Sequence, residues 1–238
     1  MENIDVSGGS GAIGSAFLSE LAQKYPRARI HSLSRSPAAQ APAGVQTLQV
    51  DYLDENSLQA AAEQVAGIGA VDLVILAGGI LHTGDIMPEK SLRELSAEKL
   101  LALFTANTVA PALTAKHFLP LLPRDRRGVF AALSARVGSI SDNHLGGWYS
   151  YRASKAALNM FIRTAAIEIR RRHPEAIAVG LHPGTVESGL SQPFLRNAAP
   201  DKCFSPQYSV SRMMAVIDAL SPSQSGLCFN WDGSRIDP

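Results

Sequence analysis

The chain has 238 residues, 46% hydrophobic and 18% charged, enough for one α/β domain that buries its own core without disulfide or metal staples. Its 22 Lys and Arg set against 21 Asp and Glu give a formal charge of +1, which excludes a charge-driven role on nucleic acid or anionic membrane. Cys203 and Cys228 make no metal or redox spacing, residues 1–5 are no signal peptide, and no apolar run approaches the ~20 residues of a membrane helix. The expectation is a soluble, cytoplasmic protein forming a single domain over 1–238.

In chain order, short apolar runs at 4–6, 29–33, 45–50, 71–76, 129–133, 177–181 and 227–230 read as strands. Between them, helical periodicity covers 13–25, 57–65, 97–119, 151–172 and 210–220. In the first helix Ile13, Phe17 and Leu21 fall at four-residue spacing, and Pro26 stops it. A loose surface connection is expected at 38–44. Strands alternating with helices of this length predict right-handed crossovers and a parallel sheet covered on both faces, a doubly wound Rossmann-type α/β fold. Asp5 is the one discordant residue, an acid inside a strand that should be apolar throughout.

Directly after the first strand comes Ser7-Gly8-Gly9-Ser10-Gly11-Ala12-Ile13-Gly14, at the start of the first helix. Gly9, Gly11 and Gly14 satisfy GxGxxG in the strand-to-helix context that gives the pattern meaning: bare backbone approaches a pyrophosphate, and helix N–H groups attract its charge. An NAD site expects an acid about 20 residues further on, bonding a ribose hydroxyl. Here Ser34-Arg35-Ser36 stands there, and no Asp or Glu occurs between Glu20 and Asp51. A guanidinium suits a 2′-phosphate, so the expected cofactor is NADP(H).

Tyr151 and Lys155 begin a long helix four residues apart, on one face. A neighbouring ammonium favours phenolate, so Lys155 is expected to lower the tyrosine pKa toward neutrality and make it a general acid/base for a carbonyl or alcohol. His82 and His182 have no partner at metal-ligand spacing, and no metal is expected. Residues 189–209, 139–148 and 83–91 are expected to shape the substrate site, the first as a lid.

With these motifs in order along the whole chain, the sequence resembles a classical short-chain dehydrogenase/reductase, and within that family the C-factor-like members related to sniffer-type carbonyl reductases. Ser7-Gly8 through Ala12-Ile13-Gly14 resembles TGxxxGxG with Ala12 for the middle glycine, and Leu76-Ala77-Gly78-Gly79 occupies the NNAG position without its asparagines. The resemblance implies cofactor contacts from Gly8, Ser10, Ala12, Ile13 and Gly14, from Ser34 and Arg35, and from Ala77 and Gly78. It further implies Asp51 and Tyr52 at the adenine, Lys155 at the nicotinamide ribose beside Tyr151, and Pro183, Gly184, Val186 and Ser188 at the nicotinamide. Asn107 matches the family's helix asparagine and is expected to hold a water relay behind Lys155. The family's strand-end Ser-Ser is Ser134-Ala135 here, so Ser134 is the expected hydroxyl donor and Ser139 the other candidate. The resemblance implies a carbonyl reductase acting on a small molecule, as a homodimer or homotetramer. The rival reading is a nucleotide-binding, C-factor-like signalling protein with incidental or no turnover.

Overall fold

The run Leu73-Val74-Ile75-Leu76 is buried at every position, as a parallel strand roofed on both faces must be. The same holds for β1 (Asn3–Ser7), β5 (Gly128–Leu133) and almost all of β2 (Arg29–Ser34) and β6 (Ala176–His182). These strands belong to the computed structural model of the chain, which describes residues 1–36, 41–84, 86–197 and 203–238. With β3 (Val45–Gln49), β4 (Leu73–Leu76), β9 (Cys228–Asn230) and β10 (Arg235–Ile236) they form one eight-stranded sheet of order β3-β2-β1-β4-β5-β6-β9-β10. Neighbours are parallel except at the β9–β10 edge. β10 was not foreseen; Asp232 and Gly233 turn the chain back, with Gly233 at φ 86°. A separate short pair joins β7 (Thr185–Val186) to β8 (Cys203–Phe204).

Helices α1 (Ala12–Lys24) and α6 (Pro206–Ala219) cover one face, where Phe17, Leu21, Met213 and Ile217 pack on Ile4, Val6 and Val179. Helices α2 (Glu55–Ala66), α4 (Ala110–Phe118) and α5 (Tyr149–Ile169) cover the other, where Val65, Phe118, Leu158 and Ile162 pack on Val74, Phe130 and Ala178. Each fully buried Leu, Ile or Phe contributes roughly 1.5–3 kcal/mol of transfer free energy. The long helix expected at 97–119 runs as α3 (Ala97–Phe104), a π-type turn (Thr105–Val109) and α4. Pro111, which has no N–H for the preceding turn, explains a widened helix here.

Caps move several helix starts from their expected places. Asp54 accepts the amide of Asn56 and begins α2 at Glu55, and Ser205 accepts that of Tyr208 and begins α6 at Pro206. α5 starts two residues early, at Tyr149, and ends at Ile169, so Arg170–Arg172 fall in the turn before Pro174. Of the connection expected at 38–44, residues 38–40 lie outside the described residues, as do 198–202 of the expected lid.

The discordant Asp5 is fully buried and paired in register with His31 of β2. Ser7 donates to its Oδ2 at 3.2 Å, and Oδ1 has no protein partner. Burial pushes the Asp5 carboxyl well above its usual range and pulls His31 down. Two adjacent polar groups thus sit inside the sheet, with burial disfavouring charge on both.

Candidate active site

Between β1 and β4 the strand order reverses, and there the carboxyl ends of the strands open into a cleft of about 470 Å³, the place where a doubly wound sheet leaves a crevice. Gly8, Ser10, Ser34, Arg35, Asp51, Tyr52, Ala77 and Gly78 all line it. Gly8 takes φ 84° and passes so close to β4 that a Cβ would lie 2.8 Å from the Gly78 nitrogen. A Cβ on Gly14 would lie 2.1 Å from the Gly8 carbonyl oxygen, so α1 can reach the loop only with glycine there. Helix α1 has no side-chain cap at Gly11 and no acid in its first turn. Its leading N–H groups are therefore left without an anionic side chain of their own, and Gly11, the residue just before them, lines the cleft. Ala12, Ile13 and Gly14 support this turn and do not line the cleft.

At the far end Arg35 is exposed and makes no ion pair among the described residues. Ser34 donates to Ser10 at 3.1 Å, joining the end of β2 to the glycine loop. Tyr52 has a structural part beside the adenine role implied for it. Its hydroxyl donates to Leu33 O at 2.8 Å and accepts from Gly8 N at 2.9 Å, bracing the glycine loop. Asp51 Oδ1 accepts the amide of Leu53 at 2.9 Å. Gly79 and Ile80 also line the cleft, beyond the Ala77-Gly78 pair singled out from sequence.

Gly79 marks where the cleft meets the residues of α5. A Cβ there would lie 3.1 Å from Asn107 Oδ1 and 3.3 Å from Lys155 Nζ. Lys155 is 3% exposed and donates to Leu133 O at 2.8 Å. Its ammonium sits 6.0 Å from the centroid of the Tyr151 ring. Burial brings the Lys155 pKa down to about 8 and pushes Tyr151 up to about 12. The expected lowering of the tyrosine is thus reversed. Desolvation outweighs an ammonium whose nearest acceptor is a strand carbonyl.

Asn107 is fully buried in the π-type turn. Its Oδ1 accepts Ile80 N at 2.8 Å, while Nδ2 donates to Ile80 O at 2.8 Å and to Ser154 Oγ at 3.1 Å. Both amide protons are committed, so the side chain braces the Gly79-Ile80 wall instead of carrying a water relay by donation.

Ser134 is a correction to the sequence reading. Its hydroxyl donates to Asn159 Oδ1 at 2.5 Å, one helical turn beyond Lys155 and two beyond Tyr151, and Cys228 Sγ donates to the same oxygen at 3.2 Å. The strand does not shift to replace the hydroxyl missing at Ala135, because Ser134 N remains in the sheet ladder with Leu181 O at 2.8 Å. Ser139 is also occupied: its Oγ accepts the amide of Asp142 at 3.1 Å and meets Ser141 Oγ at 3.3 Å.

The three segments expected to shape a substrate site meet at Trp148, whose amide donates to Glu89 O at 2.5 Å and whose ring packs on Phe194. His82 Nε2 lies 3.1 Å from Gly189 O, and its ring stands edge-on to Phe194 at 5.9 Å. Trp148 packs on Phe194 at 5.3 Å and on Tyr151 at 6.2 Å. On the other flank Pro183 O accepts Ser209 Oγ at 2.7 Å, and Gly184 (φ 78°) passes beneath the Phe204 and Trp231 rings. Val186 is buried in β7, and Ser188 Oγ donates to Val186 O at 3.3 Å. Trp148 falls in the expected 139–148 segment, whereas His82, weighed from sequence only as a metal ligand, lies just before 83–91 and belongs to no motif. His182 has an unpartnered Nδ1, and burial lowers its pKa to about 4. Among the described residues no group of His, Cys, Asp and Glu has the arrangement to hold a metal, and no helix is long and apolar enough to cross a membrane.

A Rossmann-type sheet, a glycine-loop cleft at its switch point and a Tyr-xxx-Lys helix beside it define an oxidoreductase class. Comparison with known proteins agrees: the short chain dehydrogenase family matches residues 2–199, and the chain belongs to that family of oxidoreductases. The protein C-signal of Myxococcus xanthus is 35% identical over 147 residues, covering 61% of this chain and 82% of the other. Among solved structures, the NADPH-bound carbonyl reductase from chicken fatty liver superposes with a TM-score of 0.86 at 24% identity, covering 100% of this chain and 99% of that one. The carbonyl reductase Sniffer of D. melanogaster does so with a TM-score of 0.85 at 22% identity, over 100% of both chains. Both have the fold described above.

Proposed function

We propose that the whole chain acts as one NADP(H)-binding domain that reduces a carbonyl to an alcohol, or runs the reverse, with Tyr151 as the general acid/base. The observation that carries this reading is the meeting of Lys155 with the cleft wall at Gly79, on the helix face that also bears Tyr151. The cleft suits a dinucleotide on its own features. A Cβ at Gly78 would meet nothing within 4 Å, and the free N–H groups of α1 offer a pyrophosphate site. Arg35, with Ser34 and Ser10, would hold a 2′-phosphate, and Asp51 and Tyr52 would flank the adenine. Pro183, Gly184, Val186 and Ser188 would border the nicotinamide, which when bound supplies or accepts the hydride.

The remaining work falls to this chain's own groups. A tyrosine with a pKa near 12 is protonated at neutral pH, so Tyr151 is prepared to donate to a carbonyl oxygen. The phenolate left behind is then stabilised by the nearby ammonium of Lys155. Lys155 also has donors to spare for a ribose hydroxyl. Asn107 keeps the wall between cleft and lysine in place. With Ser134 and Ser139 engaged elsewhere, the substrate oxygen relies on Tyr151 without a serine. His82, Trp148 and Phe194 would flank the substrate.

The carbonyl reductase names of the structural relatives support the reading. Cys203 and Cys228 are free thiols, in keeping with a cytoplasmic setting. Exposed Leu101, Met160 and Ile167 on α3 and α5 are the surface we assign to a second copy of the chain. NADPH oxidation measured against a panel of aliphatic and aromatic aldehydes and ketones tests the proposal. NADPH binding with no turnover on any of them would support the signalling reading instead.

A further inference from the structure

Glu89 lies in the connection between β4 and α3 and is 1% exposed, a buried acid with no ion-pair partner among the described residues. Among the described residues its hydrogen bonds go to the start of α5, at Trp148 and Ser150. Oε2 accepts the amide of Ser150 at 3.2 Å, Oε1 accepts the Ser150 hydroxyl, and the Glu89 carbonyl accepts the amide of Trp148 at 2.5 Å. The residue at the cap position, Trp148, has a left-handed backbone (φ 53°, ψ 43°) and supplies no side-chain cap. A helix start left this way has unpaired amides and a positive field, while a buried carboxylate needs donors. Each satisfies the other, across 61 residues of sequence.

We propose that Glu89 is a positioning residue for Tyr151, supplying from a distant loop the cap that Trp148 lacks. Tyr151 directly follows Ser150, so the turn that Glu89 ties down sets where the phenol stands relative to Lys155. The Glu89 backbone carbonyl holds the neighbouring Trp148, whose ring reaches both Tyr151 and Phe194. The glycine loop and Arg35 belong to other elements and do not touch Glu89. Loss of the carboxylate is therefore expected to harm chemistry more than cofactor binding. This inference rests on the role proposed for Tyr151.

The test compares Glu89→Ala, Glu89→Gln and Ser150→Ala in the full-length protein, with kcat expressed per NADPH-binding site titrated by fluorescence. Glu89→Ala should lower kcat on the order of 10–100-fold, the scale of a misplaced reacting group, with the NADPH Kd within about twofold of native. Glu89→Gln keeps an acceptor for the Ser150 amide and gains a donor for its hydroxyl, and should recover most of the loss. Native kcat per site in Glu89→Ala, a Gln variant no better than Ala, or a loss matched by lost NADPH sites would each overturn the proposal. Should Glu89→Ala fail to fold, Ser150→Ala decides, since it removes one bond of three. Severalfold lower kcat at native NADPH affinity supports the proposal, and native kcat overturns it. Tyr151→Phe is assayed alongside. Turnover surviving there would overturn both readings, whereas a dead Tyr151→Phe beside native Glu89 and Ser150 variants would overturn this one alone.

Discussion

Lys155→Met removes an ammonium that is 3% exposed and that burial holds at a pKa of about 8, against 10.5 for an ordinary lysine. Between those two values the unfolded chain keeps a proton that the folded chain has released. Native stability therefore rises with pH across that window, and the full cost of the buried charge is present below pH 8. Methionine does not titrate, so the variant lacks this slope. At about 1.4 kcal/mol per pH unit, the native protein should gain about 2.5 kcal/mol over Lys155→Met between pH 7 and pH 10. At pH 7 the variant sheds the desolvated charge and loses one hydrogen bond to Leu133 O, itself worth roughly 1.5–3 kcal/mol for a charged donor. It should thus be about as stable as native there while its turnover collapses. Urea unfolding of both cofactor-free proteins at pH 7, 8, 9 and 10 measures the slope. A stability difference that stays flat over that range would refute the placement of a charged lysine in this core.

Asp5→Asn should be increasingly stabilising relative to native as pH rises above 4, because burial keeps Asp5 protonated in the folded chain while the unfolded chain releases that proton, so native stability falls until the pH reaches the raised folded pKa; denaturation curves at pH 4 and pH 8 check this. For the cofactor, NADPH should bind at least about tenfold tighter than NADH, or about 1.4 kcal/mol, and Arg35→Asp should narrow or reverse the ratio in fluorescence titrations. Ser134→Ala should cost about 1 kcal/mol of stability through its bond to Asn159 and leave turnover within severalfold of native, so a hundredfold loss would return the substrate role to Ser134. Light scattering should report a dimer or tetramer, and charged substitutions at Leu101 and Met160 should dissociate it.

Much of this was legible in the sequence because it is local. The strand runs, the face made by Ile13, Phe17 and Leu21, and the glycines packed against β4 each state their geometry within a few residues. Spacing also placed Tyr151 and Lys155 on one face, but spacing carries no information on desolvation, and desolvation decided the direction of both pKa shifts. Ser134 was misread because the direction of a side chain at a strand end depends on what faces it, here Asn159, 25 residues away. Glu89 carried no signal at all. Its partner Ser150 lies on a distant element, and the left-handed cap at Trp148 follows Gly146 and Gly147, which advertise a turn without indicating which residue after them shares the unusual backbone. Asn107 was located by its motif, yet its commitment to Ile80 and Ser154 depends on a π-type turn that periodicity does not reveal.

The most direct test of the central claim is single-turnover hydride transfer from bound NADPH to a carbonyl substrate in Tyr151→Phe, followed by loss of NADPH absorbance, with NADPH affinity measured on the same preparation. The account predicts that hydride transfer falls by at least the 10²-fold typical of a lost general acid, while NADPH Kd stays within severalfold of native. Near-native transfer by the phenylalanine variant would contradict it.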